Sequence, residues 1–286
     1  MTGEKPVGAD AWERELDRAR VFYDENSHVG PNEWYNSPLN VANCAQRGQV
    51  DAALLRLLGK HGVHDVTGAR VADFGCGAGG RLQWLADLGA DRCRQYGVDL
   101  SADRIEMAKS RLPFATFEVG SAHRTTLEDE SCDIVTQFCV FSSILDPDLR
   151  RAVAEEMDRV LAPGGHVLWQ DMRPPGILLR LVYALRRLVW WVLRGRSRKE
   201  PLRSPESPYL LLSREVVTSL FPGYAVDGGP AGVSRDVAPV RGRWSAVASA
   251  VADLIPALRI YNVFILAKPA GKPSVPGARA GSAHRR

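Results

Sequence analysis

The sequence has little of what several function classes require. Its five cysteines (Cys44, Cys76, Cys93, Cys132 and Cys139) form no CxxC pair and no Cys/His ladder. That excludes a zinc ribbon and a disulfide framework, and no metal site is expected. The opening stretch MTGEKPVGADAW lacks the basic-then-apolar pattern of a secretory signal, so a reducing cytoplasm is the expected address. The most apolar segment, 176–194, is interrupted by Arg180, Arg187 and Arg194, which argues against a membrane-spanning helix. There is no internal repeat. Nor is there a broadly basic face. The net charge is +4, but the excess sits in residues 180–203 (eight Arg/Lys against one Glu) and 268–286 (five Lys/Arg, no acid), leaving the rest acidic. Nucleic acid is therefore not an expected partner. What remains is a 286-residue chain, 45% hydrophobic and 24% charged, large enough for one sizeable domain or two small ones.

Residues 1–10 and 268–286 are rich in Gly, Pro, Ser and charge, and predict disordered ends. Helices are predicted over about 11–23 and 42–60. From about 70 to 171 the pattern alternates. Apolar strand-like runs fall at Arg70–Phe74, Gln95–Val98, Ala115–Val119, Asp133–Phe138 and His166–Gln170, with helical patterns at Gly80–Leu88, Ala102–Arg111 and Pro147–Leu161. Alternation with short connections predicts a parallel sheet with right-handed crossovers, whose ligands sit beyond the carboxyl ends of the strands. After 171 the alternation breaks. A long apolar helix with basic residues is predicted at 176–194, then a helix with Ser213 as N-cap, a helical segment at 241–256, and a last strand at Arg259–Ala267.

The first strand ends in VADFGCGAGG, where Gly75, Gly77 and Gly80 satisfy G-x-G-x-x-G. Small residues here let the chain turn sharply and bring backbone N–H groups close to a nucleoside. Asp73, two residues before the first glycine, would repel a pyrophosphate but suits a cation. Asp99 closes the second strand in QYGVDLS, placed to accept two hydrogen bonds from a ribose diol.

On these residues the chain resembles the class I S-adenosylmethionine-dependent methyltransferases, in particular the branch called methyltransferase type 11. The resemblance covers about residues 42–171. VADFGCGAGG matches the glycine-rich first motif and YGVDLS the acidic second. GSAHRTTLEDESCDIV and EMDRVLAPGGHVLWQD follow in register. The resemblance implies an α/β, doubly wound, Rossmann-like fold with a seven-stranded, mostly parallel sheet and helical insertions after the fifth strand. It implies S-adenosylmethionine as cofactor. Asp73, Gly75 and Gly77 would surround its methionine portion, Asp99 its ribose, and Leu100 its adenine. Ser121 and Ala122 would lie at the adenine edge, Gln137 near the methionine half, and Arg47 at the cofactor carboxylate. Two departures stand out. Ser121 takes the place of an Asp that commonly accepts from the adenine amino group, and Ser142–Ser143 replace a Glu-His pair.

The implied organisation is one domain over 11–267. Residues 11–60 would be an N-terminal helical cap, 61–171 the cofactor-binding core, and 172–258 the acceptor and lid region. The implied activity is methyl transfer to a small-molecule acceptor, oxygen favoured: a sugar, a natural product or a lipid-linked metabolite. The alternatives are an NAD(P)-dependent oxidoreductase and a non-catalytic protein with a nucleotide-binding fold. An activated sulfonium needs positioning and exclusion of water more than a catalytic triad. A hydroxyl acceptor also needs a base. Asp171 and His123 are the candidates for it, with His28 and Tyr209 behind them. The bland readings are a turn cap for Asp171 and an exposed loop histidine for His123. Tyr23, Trp34 and Tyr35 fall in the segment that folds over the cofactor in the resembled family, or simply anchor that segment. The basic helix 176–194 is either a lid or, over 176–199 with Trp190 and Trp191, a peripheral membrane contact.

Overall fold

The computed structural model of the protein describes residues 9–26, 40–177, 180, 181, 184, 209–233 and 259–271. Two helices come first, α1 (Ala9–Asn26) and α2 (Val41–Lys60). Five strands then run parallel: β1 (Val71–Phe74), β2 (Gln95–Asp99), β3 (Thr116–Val119), β4 (Cys132–Phe138) and β5 (Leu161–Met172). Between them lie α3 (Gly80–Asp87), α4 (Ala102–Arg111) and α5 (Pro147–Val160). After β5 come α6 (Arg214–Leu220), β6 (Ala225–Val233) and β7 (Arg259–Ala267). The sheet order is β3-β2-β1-β4-β5-β7-β6, with β7 antiparallel to both neighbours. The order reverses between β1 and β4, which opens a crevice beyond the carboxyl ends of those strands.

Strands β1, β2, β4, β5 and β7 are largely buried on both faces, so they read as apolar runs without clean alternation, whereas edge strand β3 is half-exposed. Their side chains nonetheless divide strictly. Ala72, Phe74, Val98, Val135, Val167, Trp169, Phe264 and Leu266 pack on one face, under α5 and α6, with Trp12 and Leu16 of α1 against them. Val71, Ile134, Leu168, Val263 and Ile265 pack on the other, under α2, α3 and α4. This division assigns the polar residues too. Asp73, Thr136 and Gln170 fall on the α2/α3 face; Gln137 and Asp171 fall on the α5 face. Helix α5 starts at Pro147, with the Asp146 side chain accepting from the N–H groups of Asp148 and Leu149, an N-cap of the kind its sequence announces.

Several boundaries differ from the sequence reading. Ala9 and Asp10 are helical, so order begins before residue 11. The end expected to be disordered from 268 starts with a buried residue: the Lys268 ammonium donates to the Asp158 and Leu161 carbonyls at 2.7 Å each. Strand β5 begins at Leu161, not His166, and takes in the Pro163–Gly165 stretch. Ser213 stands at the N-cap position of α6 but makes no side-chain capping bond. Residues 225–233, which gave no strand signal, form β6, because Gly228, Gly229, Pro230 and Gly232 break the pattern. Gly228 has φ +122°, and a Cβ there would lie 2.2 Å from the Val263 carbonyl oxygen. Part of the expected acceptor region, 209–233, thus completes the sheet. Of the expected helix 176–194, Ile177, Arg180, Leu181 and Ala184 are helical and exposed. Gly176 is not helical; the rest of that expected helix, the segment 241–256, residues 1–8 and 272–286, and His28, Trp34, Tyr35, Trp190 and Trp191 lie outside the described residues. Among the described residues no helix is long and apolar enough to cross a membrane.

Candidate cofactor and acceptor site

A pocket lies at the crevice. Its floor is Gly75 after β1, Val98 to Ser101 at the end of β2, Gly120 to Ala122 after β3, and Phe138 to Val140 after β4. Helix α1 closes it from above with Glu15, Leu16, Ala19, Arg20 and Tyr23; Arg104, Leu149 and Val153 complete the walls. Most of this lining is apolar, and its charged groups are Glu15, Arg20, Asp99 and Arg104.

The loop that makes the pocket possible turns at Gly75 (φ +72°) and Gly77 (φ +52°). A Cβ on Gly75 would lie 2.4 Å from a methyl of Val140, so no other residue fits without moving the loop after β4. Asp99 organises the turn. Its two carboxylate oxygens accept one backbone N–H each, from Gly77 at 2.8 Å and Ser101 at 3.0 Å. Each oxygen keeps a lone pair for a further donor, and Asp99 lines the pocket. Arg104, on α4, donates to the Tyr23 carbonyl at 3.3 Å and places its guanidinium 4.8 Å from the Tyr23 ring centroid. Its Nε is buried and has no partner among the described residues.

Tyr23 ties α1 to the loop after β4. Its hydroxyl is hydrogen-bonded to the Ser143 hydroxyl and lies 3.5 Å from the Cys139 carbonyl. Burial pushes its pKa well above the ordinary tyrosine value. Arg18 also donates to the Ser143 carbonyl, and Glu15 accepts from the Leu145 N–H. Cys139 has a left-handed backbone, φ +61°, an unusual conformation for a side chain of this kind. Burial raises its thiol pKa, and that of Cys76, well above the usual range. Neither is an activated nucleophile.

The sequence candidates divide sharply in this geometry. Gly75, Asp99, Leu100, Ser121 and Ala122 all line the pocket. Gly77 contributes the N–H that holds Asp99. Asp73 lies beneath the loop, 2% exposed, accepting from the Thr136 hydroxyl at 2.6 Å. Burial pushes it up to about 7, against the Thr136 bond and the charge of Arg81. Gln137 is not a pocket residue, contrary to expectation. It is fully buried, donating to the Gln170 carbonyl and accepting from the Val140 N–H. Arg47 is exposed on α2 and does not line the pocket. The cations that do are Arg20 and Arg104.

Neither expected base faces the pocket. Asp171 is completely buried on the α5 face, where the Ser142 N–H donates to both its oxygens at 3.2 Å and the Met172 N–H to one at 3.1 Å. Burial lifts its pKa to about 7, against those bonds. Its work is to hold the loop after β4. His123 lies behind Ser121, with its Nδ1 2.6 Å from the Ser121 hydroxyl and its ring edge-on to Trp12 at 5.4 Å. Burial lowers its pKa, helped by Arg124 and opposed by Glu156. Tyr209 packs on Phe22 of α1, outside the pocket. Sequence reasoning missed Arg104 and Trp12, and marked Ser143 only as a departure from the family's Glu-His pair. Arg104 was the most findable, five residues after Asp99 on the helix that Asp99 introduces.

Comparison with known proteins agrees with this geometry. The family model for the methyltransferase domain matches residues 72–169, which span β1 to β5 and carry the whole pocket floor. Over this stretch the chain is similar to methyltransferases and shares the fold of the S-adenosylmethionine-dependent ones. The chain is 36% identical over 112 residues to phthiotriol/phenolphthiotriol dimycocerosates methyltransferase 1 of Mycobacterium ulcerans, covering 38% of this chain and 40% of that one. It is 27% identical over 172 residues to the ubiquinone biosynthesis O-methyltransferase of Cupriavidus pinatubonensis, covering 57% and 60%. The chain thus matches between two fifths and three fifths of these relatives' length. Among solved structures, magnesium protoporphyrin IX methyltransferase of Synechocystis PCC 6803 with bound S-adenosylhomocysteine shares the fold, with TM-score 0.55 and 13% identity over 89% of this chain and 99% of that one.

Proposed function

We propose that this chain transfers a methyl group from S-adenosylmethionine to an oxygen of a small, largely apolar acceptor. The observation that carries the cofactor half is Asp99, whose two oxygens each have one backbone donor and room for one more. A vicinal diol supplies two donors at that spacing. Leu100, Ala122, Leu149 and Val153 offer an apolar slot for a flat base beside it, and Gly75 lets the chain pass close. Arg104 adds a donor, its Nε, that the described residues leave unmatched. When bound, the cofactor supplies a methyl group already activated by its sulfonium. The chain's own residues then position the reactants and exclude water: α1 roofs the pocket, and Tyr23, Ser143, Asp171 and Gln137 hold the loop on which the far wall is built.

Three observations support an apolar hydroxyl acceptor, with lipid-linked metabolites the favoured class. The pocket lining is mainly apolar. One relative is named an O-methyltransferase and another acts, by its name, on phthiotriol dimycocerosates. The segment after β5 begins with exposed Ile177 and Leu181. Helix α1 serves as the cap, whereas α2, expected to be part of it, packs on the other face of the sheet; the segment after β5 is the acceptor side.

Calorimetry with S-adenosylhomocysteine and NADH tests the cofactor half. Asp99→Ala should weaken S-adenosylhomocysteine binding by about 1–3 kcal/mol, the scale of a lost charged hydrogen-bond partner. Stabilisation by NADH, with none by S-adenosylhomocysteine, would overturn it. For the acceptor half, locating the methyl in the product by NMR decides: transfer to nitrogen or carbon refutes the oxygen reading.

A further inference from the structure

The loop after β3 contains a pair that the transfer reaction does not use. Ser121 is a pocket residue and His123 is not, yet the Ser121 hydroxyl and the His123 Nδ1 lie 2.6 Å apart. The imidazole is held in place. Trp12 of α1 meets it edge-on at 5.4 Å and 69°. The charged groups that act on it are Glu156 from α5 and Arg124 from its own loop. Glu156 is already engaged, accepting from the Thr125 N–H and hydroxyl and from Arg159.

A hydroxyl beside an imidazole has two arrangements, and they present opposite faces to a ligand. With the ring proton on Nε2, Nδ1 accepts, the serine hydroxyl donates to it, and only serine lone pairs face the pocket. With the proton on Nδ1, the ring donates and the hydroxyl hydrogen turns towards the pocket. The imidazole nitrogen is the stronger base of the two atoms, which favours the first arrangement. Half-burial keeps the ring neutral near neutral pH.

We propose that His123 is a positioning residue that locks Ser121 as a hydrogen-bond acceptor, so that the pocket selects a 6-aminopurine over a 6-oxopurine. This rests on the cofactor reading above. An adenine amino group donates to the serine oxygen. A hypoxanthine carbonyl in the same place meets lone pairs with lone pairs. Serine alone could rotate to serve either base; the neighbour removes that freedom. Below the titration of His123 both ring nitrogens carry protons, Nδ1 donates, and the selectivity falls.

Nitrogen NMR of the histidine rings in the free protein at about pH 8 reads the arrangement directly, and should show a protonated Nε2 and a bare Nδ1 for His123. The opposite tautomer overturns the proposal. Calorimetry then compares S-adenosylhomocysteine with its 6-oxo analogue, S-inosylhomocysteine. The wild type should prefer the amino compound by about tenfold or more, the scale of one mismatched hydrogen-bond partner. His123→Ala and Ser121→Ala should each bring the ratio close to one, mainly by weakening the amino compound, and the double variant should lose no more. A ratio unchanged in His123→Ala overturns the proposal, as does equal weakening of both ligands, which marks a merely structural role. Loss of the preference in His123→Ala with Ser121→Ala still selective also overturns it. Absence of any S-adenosylhomocysteine binding to the wild type would overturn the cofactor reading itself, and the two failures are thereby distinguished.

Discussion

Replacing Asp171 by asparagine separates the structural role of this carboxyl from the catalytic one expected of it in the sequence. The side chain is fully buried and stands near a pKa of about 7, raised by that burial. In the unfolded chain it titrates near 3.9. The unfolded chain therefore releases its proton first, and ionisation favours unfolding. Stability from this group is complete below about pH 4, is lost as pH rises towards 7, and is flat above that. The difference corresponds to roughly 4 kcal/mol at most. Asparagine keeps a carbonyl oxygen for the Ser142 and Met172 N–H groups and cannot ionise. Asp73, raised in the same direction, remains in both proteins and cancels in the comparison. Urea unfolding of both proteins between about pH 4.5 and 8.5 should show the variant gaining about 2–4 kcal/mol on the wild type across that range. S-adenosylhomocysteine affinity and turnover should stay within a few-fold. A stability difference that does not change with pH would refute the neutral buried carboxyl. A variant with full stability and no turnover would restore Asp171 as the base.

Three shorter tests reach other parts of the molecule. Gly75→Ala places a Cβ against Val140 at a positive φ, and should cost about 1–3 kcal/mol of stability by thermal or urea unfolding; an unperturbed variant would mean the loop yields freely. Arg104→Ala should weaken S-adenosylhomocysteine about tenfold by calorimetry while Arg47→Ala leaves it unchanged, and the reverse order would return the cofactor carboxylate to α2. If residues 176–199 meet a membrane surface, the protein should pellet with anionic liposomes at low salt, release as salt rises, and bind less after Trp190→Ala with Trp191→Ala; no pelleting at any salt refutes that contact.

The core of the fold was legible because it is local. Each parallel strand is a short apolar run, each crossover helix has its own period, and the glycine turn and Asp99 lie within one βαβ unit. Strand β6 was not, because its glycines and proline serve a close antiparallel approach to β7, visible only once β7 is in place. The pocket residues that follow strands β1, β2 and β3 were legible for the same local reason. Asp171 and Gln137 misled because the end of a strand has two faces. Residues 170 and 171 differ by one position, and the pleat sends the second towards α5 and the loop it supports. Arg47 misled because a helix position does not say which way the helix is turned over the sheet.

Helix α1 explains why the acceptor is the least legible part. It crosses the pocket from Trp12, against His123 behind the β3 end, to Tyr23, against Ser143 and Arg104 at the β4 side. Polar attachments fasten it to α4, where Arg104 donates to the Tyr23 carbonyl, and to the loop after β4. Arg18 and Tyr23 bond to Ser143, and Glu15 bonds to the Leu145 N–H two residues on. In the proposed reading the same helix borders the nucleoside end of the pocket and the acceptor's entry. Nothing in its sequence periodicity separates these duties, since Trp12, Leu16, Ala19 and Tyr23 form one face for both. In the proposed reading, acceptor choice would depend on a contact between α1 and the segment that follows β5, two elements far apart in the chain. Local pattern cannot encode such a contact, whereas it encodes the cofactor turn almost completely.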